Sequence, residues 1–164
     1  EKLYNAAIDL AELNGSQTVL DSYCGVGTIG LCLSDKAKAV YSVENNKDAI
    51  KDALKNAKLN GIENVHFTCA DAKDYIKTLK ENDIKIDVAF LDPPRAGCSA
   101  DFLHSLISIN VDRIIYISCN VETQARDLRI LKKHGYKINH IQPVDMFPHT
   151  NHVECIVRLN RTMQ

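Results

Sequence analysis

Cys119 stands in Ile117-Ser118-Cys119-Asn120, between an apolar run and an amphipathic one. A thiol at a strand-to-helix junction meets exposed backbone N–H groups and the positive end of the helix dipole, which both favour the nucleophilic thiolate. The same position also suits a packed strand-end cysteine, so the thiol alone decides nothing. A second cluster, Gly25-Val26-Gly27-Thr28-Ile29-Gly30, has the G-x-G-x-x-G spacing that lets backbone approach a nucleotide cofactor. Glu44, 19 residues after Gly25, is placed to take ribose hydroxyls. Such a turn serves NAD, S-adenosylmethionine or no ligand at all. Two carboxylates favour S-adenosylmethionine. Asp21, four residues before Gly25, can meet a ligand's ammonium group but would repel a pyrophosphate. Asp92-Pro93-Pro94-Arg95 ends another apolar run. Its two prolines make a rigid turn poor in N–H donors, and its carboxylate can face cofactor or substrate. These features point to a methyltransferase rather than a dehydrogenase.

Three segments then occur in order: Asp92-Pro93-Pro94-Arg95-Ala96-Gly97; Ser118-Cys119-Asn120 with Thr123, Ala125, Arg126 and Asp127; and Met146-Phe147-Pro148-His149-Thr150-Asn151-His152-Val153-Glu154. Together they resemble the RNA uracil-C5 methyltransferases, the family that makes 5-methyluridine in ribosomal and transfer RNA, and most of all the catalytic domain of the 23S rRNA enzymes. The likeness covers about residues 17–160. It implies a Rossmann-like domain that uses S-adenosyl-L-methionine. Tyr23, Thr28, Glu44 and Asp92 fall on cofactor-binding positions, with Asp71 near the adenine edge. Cys119 falls on the nucleophile and Glu154 on the base. The implied partner is RNA, ribosomal first and transfer RNA second, with no membrane and no metal in this chain. Larger members carry an N-terminal OB-like RNA-binding module and often an iron–sulfur cluster, neither of which has a counterpart here. A cofactor-contacting glutamine upstream of the glycine turn also has none, and Val121 stands where many members have proline.

The chemistry explains the residue types. Uracil C5 is a poor nucleophile until a thiolate adds at C6 and turns the ring into an enolate with electron density at C5. Once C5 carries both methyl and hydrogen, a base must remove that proton before the thiolate can leave. Cysteine and carboxylate suffice. Arg95 suits either the developing oxyanion or an RNA phosphate. Alternatives are a degenerate domain that binds cofactor or partner without catalysis, and an N-methyltransferase with a similar Asp-Pro-Pro turn, which would need no thiol.

These residues require a scaffold that gathers strand ends. Strands are expected over 17–23, 39–43, 64–68, 86–91, 112–118, 136–145 and 152–159. Helices are expected after the glycine turn, from the Asn46 cap to Gly61, over 72–80, after Ser99, and from about Val121 to Gly135. Strand–helix alternation means an α/β fold: a mostly parallel seven-stranded sheet with helices on both faces. Ligands in such sheets sit beyond the carboxyl ends of the strands, where every candidate residue falls.

The 164 residues, 45% hydrophobic and 25% charged, suit one globular domain, residues 1–164. A net charge of −1 argues against strong phosphate-driven binding, so this chain alone is expected to hold RNA weakly. No apolar run approaches the roughly 20 residues of a membrane helix. Cys24, Cys32, Cys69, Cys98, Cys119 and Cys155 contain no Cys-x-x-Cys pair and no zinc-site spacing. Without a secretory leader they read as reduced thiols of a cytoplasmic protein. The start at Glu1 suggests a piece of a longer chain.

Overall fold

The computed structural model describes residues 2–146, 148–150 and 152–162. Seven strands and six helices follow in the order α1 (Lys2–Leu10), β1 (Thr18–Ser22), α2 (Thr28–Leu33), β2 (Ala39–Glu44), α3 (Lys47–Leu59), β3 (Val65–Cys69), α4 (Ala72–Glu81), β4 (Val88–Leu91), α5 (Ala100–Ser108), β5 (Arg113–Ser118), α6 (Val121–Lys133), β6 (Tyr136–Val144) and β7 (Glu154–Arg161). The expected strands are all present, as are the expected helices. Local chemistry sets their ends. Asn46 caps α3 by accepting from the N–H groups of Asp48 and Ala49, and Ser99 caps α5 through Phe102 N–H. Gly61 and Gly135, in the left-handed region, end α3 and α6.

The sheet order is β3-β2-β1-β4-β5-β7-β6. Strands β1 to β5 run parallel, while β7 inserts antiparallel between β5 and β6. Side chains alternate between two cores, as the pleat demands. In β5, Ile114 and Tyr116 pack with Phe102, Leu106 and Ile76 beneath α4, α5 and α6. Ile115 and Ile117 point to the other face, against Leu3, Ile8, Ile29 and Leu33 of α1 and α2. Helices therefore cover both faces.

Helix α1 has no counterpart among the sequence-based expectations. Nine residues are too few to hold a helix in isolation. Tertiary contacts hold this one: Leu3, Ala7 and Ile8 are buried, Arg113 donates to the carbonyl of Ala11, and Glu12 pairs with Arg158.

Candidate active site

At the carboxyl end of β1 the chain turns sharply. Tyr23 has φ 64°, a strained value for a side chain of its size, followed by Gly25 at 53° and Gly27 at 85°. A Cβ on Gly27 would stand 2.7 Å from the Phe67 ring, so this glycine lets the turn rest on β3. Gly25 N–H donates to Glu44 Oε2 at 3.2 Å, while Asn46 N–H donates to Oε1 at 2.9 Å. One carboxylate thus links the glycine turn to the end of β2.

Asp21 lies beneath this turn, fully buried. Its Oδ2 accepts from Gly30 N–H at 3.0 Å and from the Ser42 hydroxyl at 3.3 Å, and Oδ1 is buried without a hydrogen-bond partner. Burial pushes its pKa up to about 7, against the pull of those two bonds. Thr28 is exposed at the start of α2.

Tyr23, Glu44 and Asp71 come together around a narrow cleft of about 50 Å³, with Ser99 and Phe102 on its other wall. The Tyr23 ring meets Phe102 edge-on at 5.3 Å. Asp71 also caps α4, accepting Lys73 N–H at 2.9 Å. Two aromatic rings thus wall the slot, and two carboxylates line it.

Asp92 follows β4 and is half-buried. Burial, and then the nearby charge of Glu154, raise its pKa to about 6. The Tyr4 hydroxyl of α1 donates to its Oδ2 at 3.4 Å and works in the opposite direction. Beyond the two prolines, the turn is tied to α6. Arg95 O accepts from the Thr123 hydroxyl at 3.1 Å, and Arg126 Nη2 donates to Ala96 O and Cys98 O at 2.9 and 3.0 Å. Buried Asp127 gathers Cys98 N–H at 2.7 Å, the Tyr116 hydroxyl at 2.6 Å and Arg126 Nε at 2.8 Å.

Cys119 is half-buried at the end of β5, where Asn120 caps α6 by accepting from the N–H groups of Glu122 and Thr123. A cleft of about 360 Å³ opens beside it, lined by Arg95, Asn120, Val121, His152 and Val153. Burial raises the thiol pKa of Cys24, Cys98 (to about 12) and Cys155, which works against their forming thiolates. Ser118 pairs with Cys155 across the antiparallel β5–β7 ladder. Cys119 follows Ser118 and Glu154 precedes Cys155, so the ladder brings the two level at its end. Burial raises the Glu154 carboxyl above its ordinary pKa. Phe147 and Asn151 of the third sequence segment lie outside the described residues.

The candidates thus form two adjoining groups along one edge of the sheet: Asp21, Tyr23, Gly25, Gly27, Thr28, Glu44 and Asp71 at the glycine turn, and Asp92, Cys119 and Glu154 beside it. A larger cleft of about 520 Å³ between α1 and α2 is lined by none of them. Among the described residues no three His, Cys, Asp or Glu side chains cluster to hold a metal ion, and no helix is long and apolar enough to cross a membrane. Tyr4 carries no motif and is found only through the fold. Arg126 and Asp127 belong to the second segment, but their clamp on the Asp-Pro-Pro loop needed the tertiary structure.

Solved structures with this architecture include an rRNA methylase of Streptococcus thermophilus, 14% identical, which covers 99% of this chain and 95% of its own with a TM-score of 0.76. At that identity the likeness speaks for the fold alone. The Pyrococcus abyssi tRNA (uracil-54, C5)-methyltransferase, solved with S-adenosyl-L-homocysteine, is 35% identical over 94% of this chain and 37% of its own, with a TM-score of 0.79. An uncharacterized RNA methyltransferase of Oceanobacillus iheyensis is 47% identical over 96% of this chain and 34% of its own. The family model for tRNA (uracil-5-)-methyltransferases matches residues 1–162. The chain belongs to this family of S-adenosylmethionine-dependent RNA (uracil-5-)-methyltransferases. It spans about a third of the length of the curated relatives it matches.

Proposed function

We propose that this chain is the catalytic domain, residues 1–164, of an enzyme that methylates C5 of a uridine in RNA, ribosomal RNA in the first instance, through a covalent bond between Cys119 and C6. The observation that carries the reading is the β5–β7 register, which brings a cleft-side thiol level with a carboxylate, Glu154, whose charge also acts on Asp92. The cofactor fits the first group of residues together with Asp92, at the end of β4. Glu44 would hold the ribose diol and Tyr23 and Asp71 the adenosine end. Gly25, Gly27 and Thr28 would pass along its chain. Asp21, fully buried and bonded to Gly30 N–H and the Ser42 hydroxyl, would hold the turn in shape from beneath rather than meet the ammonium group itself. Bound S-adenosylmethionine supplies the electrophilic methyl.

Cys119 as thiolate attacks C6, and the displaced electron pair passes through C5 to the C4 oxygen. The electron pair returns from the enolate as C5 takes the methyl. Glu154, its basicity raised by burial, takes the C5 proton. The C5–C6 double bond then re-forms and expels the thiolate. The free thiols agree with a cytoplasmic setting. Near-neutral charge agrees with RNA affinity residing in part outside these residues.

The test is nucleoside analysis of ribosomal and transfer RNA from cells with and without the full gene, followed by trapping of the full gene product on 5-fluorouridine RNA. Loss of 5-methyluridine from ribosomal RNA and a denaturation-stable adduct abolished by Cys119→Ala are expected. Loss from transfer RNA alone would move the substrate. An adduct that survives Cys119→Ala would overturn the nucleophile, and methylation without an adduct would favour the N-methyl reading.

A further inference from the structure

Tyr4 reaches the site from an element that contributes no other residue to it. Its backbone is well held, because Leu3 beside it is buried and the far end of α1 is locked by Arg113 on Ala11 O and by Arg158 Nη2 on Glu12 at 2.9 Å. Asp92 needs a donor from elsewhere, since Pro93 and Pro94 supply no N–H to their own turn. Among the described residues, the side-chain donor to Asp92 is the Tyr4 hydroxyl, 3.4 Å from Oδ2. The titratable groups facing this contact are Glu154 of β7 and Asp21 of β1, both acidic, and both favour the protonated phenol. Tyr4 is therefore a donor at any working pH.

We propose that Tyr4 is a positioning residue of the methyl-transfer site, its hydroxyl holding the Asp92 carboxylate in place beside Glu154. The proposal rests on the reading that Asp92 and Glu154 belong to that site. A donor on the carboxylate favours its ionised form, so removing the hydroxyl raises the pH at which Asp92 gains a proton. Tyr4→Phe keeps the ring and the packing of a partly exposed side chain, and it removes only the donor.

Two measurements on the full gene product decide the matter. Carboxyl-carbon NMR should show the Asp92 titration midpoint rising by about half a unit to one unit in Tyr4→Phe, as fits a long hydrogen bond to a charged group. The acid limb of the kcat/KM profile for RNA methylation should move with it, with a loss of about twofold to fivefold near pH 6 that shrinks by pH 8. In an Asp92→Asn background Tyr4→Phe should add nothing. An unchanged midpoint overturns the proposal, and so does a loss equal at all pH values or one that persists in the Asp92→Asn background. The NMR midpoint reads the contact whether or not uridine is methylated, so failure of the functional reading and failure of this one are told apart.

Discussion

In the proposed reaction, Glu154 is the residue whose substitution separates the steps. Thiol addition and methyl transfer need no base, whereas release of the adduct does. Glu154→Gln keeps size and hydrogen bonding but loses basicity, so methylated RNA still bonded to Cys119 should accumulate. Denaturing gels with a labelled methyl donor check this, and normal turnover would reduce Glu154 to a strand-end carboxylate. Glu44 is tested by binding instead. A carboxylate–diol contact contributes roughly 1.5–3 kcal/mol. Glu44→Ala should weaken S-adenosylhomocysteine on the order of tenfold to a hundredfold by calorimetry. Part of that loss will come from the turn itself, since Gly25 and Asn46 lose their shared acceptor. Equal affinities would remove Glu44 from the site.

At the scale of elements, the loop after β4 is held to α6 by Thr123, by Arg126 and by one buried carboxylate, Asp127. Asp127 binds Cys98, Tyr116 and Arg126 at once, and Gly97 passes so close that a Cβ would stand 2.6 Å from Asp127 Oδ2. Its φ of 75° adds strain for any other residue. Asp127→Ala would leave a buried hydroxyl and a buried N–H without an acceptor, each costing roughly 1–3 kcal/mol. The melting temperature should fall on the order of 10 °C. Gly97→Ala should also lower it and impair methyl transfer, because Asp92, Arg95 and the start of α6 would shift together. A melting temperature unchanged in both variants would show that the loop needs no clamp.

For the molecule as a whole, Asp21 couples stability to pH. Its folded pKa of about 7 lies above the ordinary 3.8, so between these values the folded protein keeps a proton that the unfolded chain releases. The sign follows: its contribution is full below about 3.8, falls as the pH rises and is lost through about 7. Asp21→Asn removes that dependence. Urea unfolding from pH 4 to 8 should therefore show wild type losing stability relative to Asp21→Asn as the pH rises, by at most about 4 kcal/mol. Parallel curves would mean that Asp21 is ionised throughout.

The sequence by itself determined what depends on near neighbours. Caps at Asn46 and Ser99, stops at Gly61 and Gly135, and the glycine turn after β1 are written in types and spacings within a few residues, because a backbone N–H or a positive φ is satisfied locally. Strand–helix alternation then restricts the fold to a largely parallel sheet with its candidate residues at one edge. Tertiary structure decided the rest. No local pattern says that β7 enters the sheet antiparallel beside β5, yet that register brings Glu154 level with Cys119. Sequence reading aimed Asp21 at a ligand's ammonium group. The fold places it under the turn, bonded to Gly30 and Ser42, with one oxygen left over. Helix α1 is too short to declare itself, and only packing against the sheet brings Tyr4 to Asp92, 88 residues along the chain. Contacts at such separations are made by the core, whose hydrophobic driving force is non-directional and leaves no fixed spacing in the sequence.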